Sequence, residues 1–115
     1  MARILVVEDE PNIAGIIDFK LRREGHQVVC VPGAELASTA VSGLQPDAIV
    51  LDASAGDVRG ILAGPGARCP VLVLTDLHDE EAPRRALRDG AAATLRMPFK
   101  PTVLARTITR LLGST

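Results

Sequence analysis

Acidic and hydroxyl side chains follow several of the aliphatic runs in this sequence of 115 residues. Glu8 and Asp9 come directly after the first run, Asp52 ends the third run, and Thr75 ends the fourth. Each acid taken alone has an ordinary interpretation as a solvated loop charge. Three carboxylates brought to one place would repel one another and raise each other's pKa, and a divalent ion would relieve that repulsion. Because Mg²⁺ prefers a few carboxylate oxygens and several waters, these residue types indicate a magnesium site if the chain gathers them.

The segments that carry these residues alternate between strand and helix patterns. Continuous aliphatic runs predict buried strands, with the last one weaker than the others, over 4–7, 28–31, 48–52, 71–75 and 94–97. Helical spacing and end signals predict helices from Pro11 to about Arg23, after Pro101, and over 34–41 and 80–89. The stretch over 56–66 is rich in Gly and Pro, so the third helix is predicted to be truncated or missing, with at most one turn near 60–63.

This alternation predicts the architecture and the place of the site. Strands that alternate with helices form a parallel sheet with right-handed crossovers and helices on both faces. In such a sheet the ligand site lies beyond the carboxyl ends of the strands, where the strand order switches. The acids at the strand ends are therefore expected at one edge of the sheet.

Five segments follow one another in a fixed order along the chain: Arg-Ile-Leu-Val-Val-Glu-Asp-Glu-Pro at 3–11, Pro-Asp-Ala-Ile-Val-Leu-Asp at 46–52, Val-Leu-Val-Leu-Thr at 71–75, Gly-Ala at 90–91 and Pro-Phe at 98–99. Together these segments resemble the receiver domain of bacterial two-component response regulators. The resemblance extends over almost the whole chain. It implies an α/β fold of the flavodoxin-like type, a three-layer sandwich whose five-stranded parallel sheet has the order 2-1-3-4-5.

The resemblance also implies a role for each residue at the strand ends. Asp52 corresponds to the acid that accepts a phosphoryl group from a phosphohistidine, and Glu8 and Asp9 correspond to the acids that bind Mg²⁺ together with it. Ser54 corresponds to the position whose backbone carbonyl binds the same ion, and Thr75 to the hydroxyl that bonds the phosphoryl oxygens. An aspartate is a competent nucleophile toward phosphorus when Mg²⁺ neutralises the incoming oxygens. The implied function is a signalling domain rather than an enzyme, with at most self-phosphorylation from small donors and autodephosphorylation.

Three positions depart from the pattern of the family. Met97 stands where the family has a lysine, Thr94 where it has an aromatic switch residue, and Asp76 where it has a small residue. A thioether cannot pair with a phosphoryl anion, so the site lacks one positive charge. Arg96 should point to the opposite face of the strand, and Lys100 should be a solvated residue at a helix start. Both are therefore poor substitutes for the lysine.

Composition and charge set the remaining expectations. The formal net charge of −1 recruits neither nucleic acid nor an acidic membrane, and no apolar run is long enough to span a membrane. Without a secretory signal, Cys30 and Cys69 are expected to be buried free thiols in the cytoplasm. The length fits a single receiver-like domain over 1–115. The expected partners are a histidine kinase or a histidine phosphotransfer protein and a downstream protein target, and a homodimer is left open.

Other functions stay open beside the phosphorylated receiver. The departures at Met97, Thr94 and Asp76 favour a pseudo-receiver, which is a protein-interaction module of the same fold that works without phosphorylation. The intact acids favour phosphorylation, because an idle site has no physical reason to keep three clustered carboxylates. A Mg²⁺-dependent phosphohydrolase would need a second acid or base to activate water, and the sequence assigns none. A nucleotide-binding flavodoxin relative is disfavoured because no Gly-rich phosphate loop follows the first strand.

Overall fold

The computed structural model describes residues 1–113, except for the side chains of residues 66 and 67. Its strands are β1 (Arg3–Val7), β2 (Gln27–Val31), β3 (Ala48–Asp52), β4 (Val71–Thr75) and β5 (Ala93–Arg96). They form one parallel sheet in the order β2-β1-β3-β4-β5, which confirms the predicted topology. Because every pair is parallel, the residues that follow the strands all lie at one edge of the sheet.

Helices cover both faces of this sheet. They are α1 (Pro11–Arg23), α2 (Ala37–Leu44), α3 (Val58–Ala63), α4 (Ala82–Arg88) and α5 (Pro101–Leu112). The helices α1 and α5 pack on one face of the sheet, where they bury Ile17, Leu21, Leu104 and Ile108. The helices α2, α3 and α4 pack on the other face, where they bury Ala37, Ile61 and Ala86. The strands β3 and β4 lie between these two cores and are buried at every residue, which confirms the three-layer sandwich.

The third helix is truncated, as the sequence predicts. It has six residues and begins earlier than the predicted turn, because Asp57 accepts a hydrogen bond of 3.0 Å from the Gly60 N–H and caps it. Gly64 follows its last residue, and Pro65 then begins a short 3-10 turn. The Gly and Pro residues therefore shorten this crossover without abolishing its helix.

The end of α2 differs from the prediction. The sequence places that end before Gly43, whereas the helix continues through this glycine. The left-handed residue that terminates it is Gln45, with φ 52°, whose N–H donates to the Val41 carbonyl. At the ends of α1 and α4, by contrast, Gly25 and Gly90 do adopt positive φ, 93° and 117°.

The ends of α4 and β5 also shift slightly from the predicted ranges. The helix predicted over 80–89 is observed over Ala82–Arg88, with Pro83 in its first turn. The fifth strand is observed over Ala93–Arg96 instead of 94–97, so Met97 lies directly after it. The peptide bond between Met97 and Pro98 is cis.

The cysteines are free, as expected, but the prediction that both are buried is wrong for Cys30. This residue lies on β2, an edge strand of the sheet, and its side chain is exposed, whereas Cys69 is half-buried. A strand at the edge has a neighbour on one side only, so its side chains receive less cover than those of a central strand.

In the part of the chain that the structure describes, no helix is both long and apolar enough to cross a membrane.

Candidate functional site

The predicted acids meet at the carboxyl edge of the sheet. Glu8 and Asp9 follow β1, and Asp52 is the last residue of the adjacent β3. One carboxylate oxygen from each of the three acids lies within 4.8 Å of the other two. Glu8 and Asp52 are only 4% and 8% exposed, whereas Asp9 is open to solvent. Three hard oxygen ligands at these separations fit a small divalent cation such as Mg²⁺.

Glu8 lies in an environment that disfavours a charged carboxylate. Burial, and then the neighbouring Asp52 carboxyl group, raise the pKa of Glu8 to about 8. Its Oε2 accepts a hydrogen bond of 3.1 Å from the Glu10 N–H. Its Oε1 is buried and has no hydrogen-bond partner among the described residues. A buried polar atom without a partner costs about 1–3 kcal/mol, so Oε1 indicates a ligand that the chain itself does not supply.

Thr75 presents a second buried polar atom without a partner. It ends β4, is 1% exposed, and its Oγ1 makes no hydrogen bond within the described part of the chain. Its carbonyl accepts a hydrogen bond of 2.8 Å from the Met97 N–H, which ties the end of β4 to the residue after β5. Thr75 lines an adjoining cavity of about 280 Å³ together with Ala53 and Arg85, rather than the main cleft above the acids. Its hydroxyl is free to donate to an anion at this edge of the sheet.

The orientation of Asp52 is set by Ser54. The Asp52 Oδ1 accepts hydrogen bonds of 2.9 Å from the Ser54 N–H and 2.8 Å from the Ser54 hydroxyl. Both bonds close a short 3-10 turn, Ala53–Ala55, directly after β3. This role of the Ser54 side chain was not predicted from the sequence, although an Asp side chain commonly accepts a hydrogen bond from the backbone N–H two residues on in a turn. The Ser54 backbone carbonyl stays a predicted metal ligand.

An open cleft of about 800 Å³ lies above the three acids and contains two of the three departures from the family pattern. Met97 lines the cleft and also packs against the core beneath α1 and α5, so an apolar side chain fills the place of the lysine. Asp76 lines the cleft too, and its Oδ1 accepts a hydrogen bond of 2.7 Å from the His78 N–H. Thr94 is half-buried on β5 opposite Val73 and is not among the described lining residues.

The two basic residues considered as substitutes for the lysine do not line the described cleft. Arg96 is exposed, and its Nη1 donates to the Leu77 carbonyl at 3.5 Å. Lys100 is exposed at the start of α5. A different base, Arg85 of α4, does line the cleft. Nothing in the spacing of the arginines of this helix relates one of them to the strand ends, so the sequence alone gives no signal for this position.

Comparison with known proteins identifies the family. The chain matches the model of the response regulator receiver domain over residues 4–109. It is 34% identical over 114 residues to the DNA-binding response regulator MtrA of Mycolicibacterium smegmatis, and the match covers 95% of this chain and 50% of that protein. The chain belongs to the receiver domain family. It is also 32% identical over 103 residues to the transcriptional regulatory protein KdpE of Mycobacterium tuberculosis, covering 86% of this chain and 46% of that protein. This receiver domain thus spans about half the length of the curated relatives it matches.

Solved receiver domains have the same fold as this one. The receiver domain of a sensor histidine kinase from Pseudomonas aeruginosa is 32% identical, with a TM-score of 0.81 and 98% coverage of both chains. That protein was solved with a magnesium ion coordinated in its active-site cleft. A receiver domain from Francisella, 23% identical with a TM-score of 0.85 over 97% of both chains, agrees in fold. Receiver domains bind Mg²⁺ in an acidic site, and this receiver domain has a cluster of acids at the corresponding edge of its sheet.

Proposed function

We propose that this receiver domain accepts a phosphoryl group on Asp52, with Mg²⁺ held by Glu8, Asp9, Asp52 and the backbone carbonyl of Ser54. The observation that carries the proposal is the Glu8 Oε1, which is buried without a partner inside a cluster of three carboxylates. A divalent cation would supply the missing partner and favour the charged form of Glu8, whose pKa is raised first by burial and then by the neighbouring Asp52. The donor set consists of oxygen atoms only, which suits Mg²⁺ better than a softer metal.

The residues around Asp52 are suited to an in-line phosphoryl transfer. A Mg²⁺ ion held by Glu8, Asp9 and Asp52 would neutralise charge on the phosphoryl oxygens. Because Ser54 donates both of its hydrogen bonds to Oδ1, we assign the attack on phosphorus to Oδ2. The new bond joins Oδ2 to phosphorus while the nitrogen–phosphorus bond of the phosphohistidine breaks, and the imidazole keeps that electron pair. The Thr75 hydroxyl, which has no partner in the described structure, donates to a phosphoryl oxygen.

The proposed partners follow from this chemistry. The phosphodonor is a histidine kinase or a histidine phosphotransfer protein in the cytoplasm, and the phosphorylated state acts on a downstream protein target. The unit that does this is a single domain over 1–115, with no direct contact to nucleic acid or membrane, and a homodimer stays open. The net charge of −1 supports this choice, since no excess of positive charge favours a polyanionic partner. The domain acts as a signalling module whose own chemistry is limited to self-phosphorylation and autodephosphorylation.

A second candidate function is the pseudo-receiver, which would act by protein contact without phosphorylation. Met97 in the cleft favours it, because its thioether cannot pair with a phosphoryl anion and no lysine is among the described lining residues. Thr94 also favours it, since a threonine offers no aromatic ring to sense the phosphate, and Asp76 adds negative charge to the cleft. The partnerless atoms of Glu8 and Thr75 favour phosphorylation, because a site that binds nothing would leave both of them buried at a cost.

The experiment that separates the two functions is a phosphorylation assay by intact mass. The full chain is incubated with Mg²⁺ and acetyl phosphate, beside an Asp52→Asn variant that keeps the size of the side chain. Gain of one phosphoryl group by the parent alone would support the proposed acceptor. An unchanged parent mass, with Mg²⁺ binding measured separately by calorimetry, would contradict it and favour the pseudo-receiver.

A further inference from the structure

The cleft above the three acids has one basic residue among its described lining residues, and that residue is Arg85. The acids that line the same cleft are Glu8, Asp9, Glu10, Asp52, Asp76 and Asp79. A phosphoryl group that enters this cleft brings further negative charge, and one divalent cation offsets only part of the total. The lysine that would add a positive charge in the family is replaced by Met97, whose thioether carries none.

Arg85 is held at the margin of the cleft by a specific ion pair. It lies in α4, and its Nη2 donates to the Asp79 Oδ2 at 2.5 Å. Asp79 is itself anchored, because its Oδ1 accepts hydrogen bonds of 3.2 Å from the Glu81 N–H and 3.1 Å from the Ala82 N–H. The Arg85 side chain is 49% exposed, so it is not locked by surrounding packing. A long, half-exposed side chain with a single carboxylate partner can turn toward a stronger anion.

The same residue also lines the adjoining cavity in which Thr75 lies. Arg85 thus borders both the cleft of the acids and the place where the partnerless Thr75 hydroxyl is found. Arg96 and Lys100 border neither of these cavities among the described lining residues. Of these three bases, Arg85 alone has a position from which it can meet an anion bound between Asp52 and Thr75.

We propose that Arg85, from α4, supplies the positive charge for the phosphoryl group that Met97 cannot supply from the end of β5. This inference rests on the proposed function of Asp52 as acceptor. In the unphosphorylated domain the guanidinium binds Asp79, and in the phosphorylated domain it exchanges that carboxylate for the phosphoryl oxygens. The exchange is favourable because a guanidinium pairs with a phosphoryl dianion through two charge-assisted hydrogen bonds, whereas here it gives one to Asp79. It also releases Asp79, and thereby connects the state of Asp52 to the start of α4.

The test uses the full chain and beryllium fluoride, a phosphoryl-like anion, titrated in the presence of Mg²⁺ by calorimetry. Arg85→Ala should weaken beryllium fluoride binding on the order of tenfold, the effect expected when one charge-assisted contact is lost. Arg84→Ala is the matched control, because Arg84 lies on the same helix, is 81% exposed, and does not line the described cleft. Adding Met97→Lys to Arg85→Ala should restore binding, since it returns a positive charge to the cleft. Binding of Mg²⁺ alone should be as tight in Arg85→Ala as in the parent, or tighter, because a nearby positive charge has been removed.

The outcomes separate this inference from the proposed function. If the parent binds no beryllium fluoride with Mg²⁺ present, both the proposed acceptor site and the role of Arg85 are overturned. If the parent binds and Arg85→Ala binds equally well, only the role of Arg85 is overturned. The same holds if Arg84→Ala weakens binding as much as Arg85→Ala, because the effect would then reflect the charge of the helix and not a contact. Loss of Mg²⁺ binding in Arg85→Ala would reveal a structural role and overturn the inference as well.

Discussion

Replacing Glu8 with Gln should stabilise the metal-free protein at neutral pH and leave its stability almost unchanged in acid. The pKa of Glu8 rises from 4.5 to about 8 in the folded chain because of burial and the neighbouring Asp52. Below about pH 4.5 both the folded and the unfolded states hold the proton, so the group contributes no penalty. Between about pH 4.5 and 8 the unfolded state releases the proton and the folded state retains it, so the free energy of unfolding falls as pH rises. Above about pH 8 the penalty is complete and constant.

The size of the effect follows from the same shift. Each unit of pKa difference corresponds to about 1.4 kcal/mol. The rise of the Glu8 pKa to about 8 therefore limits the stability that Glu8→Gln can gain at neutral pH to about 3 kcal/mol. The cleft is open to solvent above Glu8, which lowers the expected gain to about 1–3 kcal/mol. A Gln side chain has no proton to release in the unfolded state and still offers its Oε1 to the Glu10 N–H, so it introduces no new unpaired acceptor at that position.

The assay is urea unfolding with EDTA present, at about pH 5 and about pH 7. Far-UV circular dichroism is the suitable signal, because the sequence has no Trp or Tyr for intrinsic fluorescence. Glu24→Gln is the matched control, since this acid is exposed and forms only a surface ion pair of 3.6 Å with Lys20. Glu8→Gln should gain stability over the parent at pH 7 and much less at pH 5, while the control should change little at either pH. An equal gain at both values, or a loss at pH 7, would refute the account of Glu8.

Three other predictions concern the metal, the missing lysine and a close packing contact. Calorimetry should show that Mg²⁺ affinity rises with pH up to about pH 8, because the ion must displace the Glu8 proton, and a flat profile would contradict this. Met97→Lys should raise the free energy of unfolding of the metal-free chain by about 1 kcal/mol in urea by adding a positive charge among the acids. Met97→Leu should not, and equal values for the two variants would rule this effect out. Gly56→Ala should lower the free energy of unfolding by about 1–3 kcal/mol, because a Cβ there would clash with the Ala34 Cβ. Gly43→Ala, with nothing within 4 Å of its Cβ position, should be neutral or stabilising, and equal effects of the two changes would show that the contact is unimportant.

The position of the acids at one edge of the sheet could be predicted, because it depends only on the order and direction of the strands. Once aliphatic runs identify parallel strands, Glu8 and Asp52 must meet at the carboxyl edge, since strand ends in a parallel sheet share that edge. The truncated third helix was likewise predictable, because its Gly and Pro residues are local signals. These features need no knowledge of side-chain packing.

Other features depend on contacts that local patterns do not record. The end of α2 is set by Gln45 in a left-handed conformation, which a glycine would adopt more easily, so the sequence signal pointed to the wrong residue. The exposure of Cys30 follows from the position of β2 at an edge of the sheet, not from the apolar character of its run. The place of Arg85 beside the acids depends on its ion pair with Asp79 and on how α4 packs, and neither leaves a recognisable spacing.

The measurement that tests the central claim most directly identifies the phosphorylated residue by chemical reduction. The chain is treated with Mg²⁺ and acetyl phosphate and then with borohydride, which reduces an aspartyl phosphate to homoserine, and the modified residue is located by peptide mass spectrometry. The proposed function predicts homoserine at position 52 alone, and none when Mg²⁺ is withheld. Modification at Glu8 or Asp9 instead of Asp52, or no modification of any acid, would contradict it.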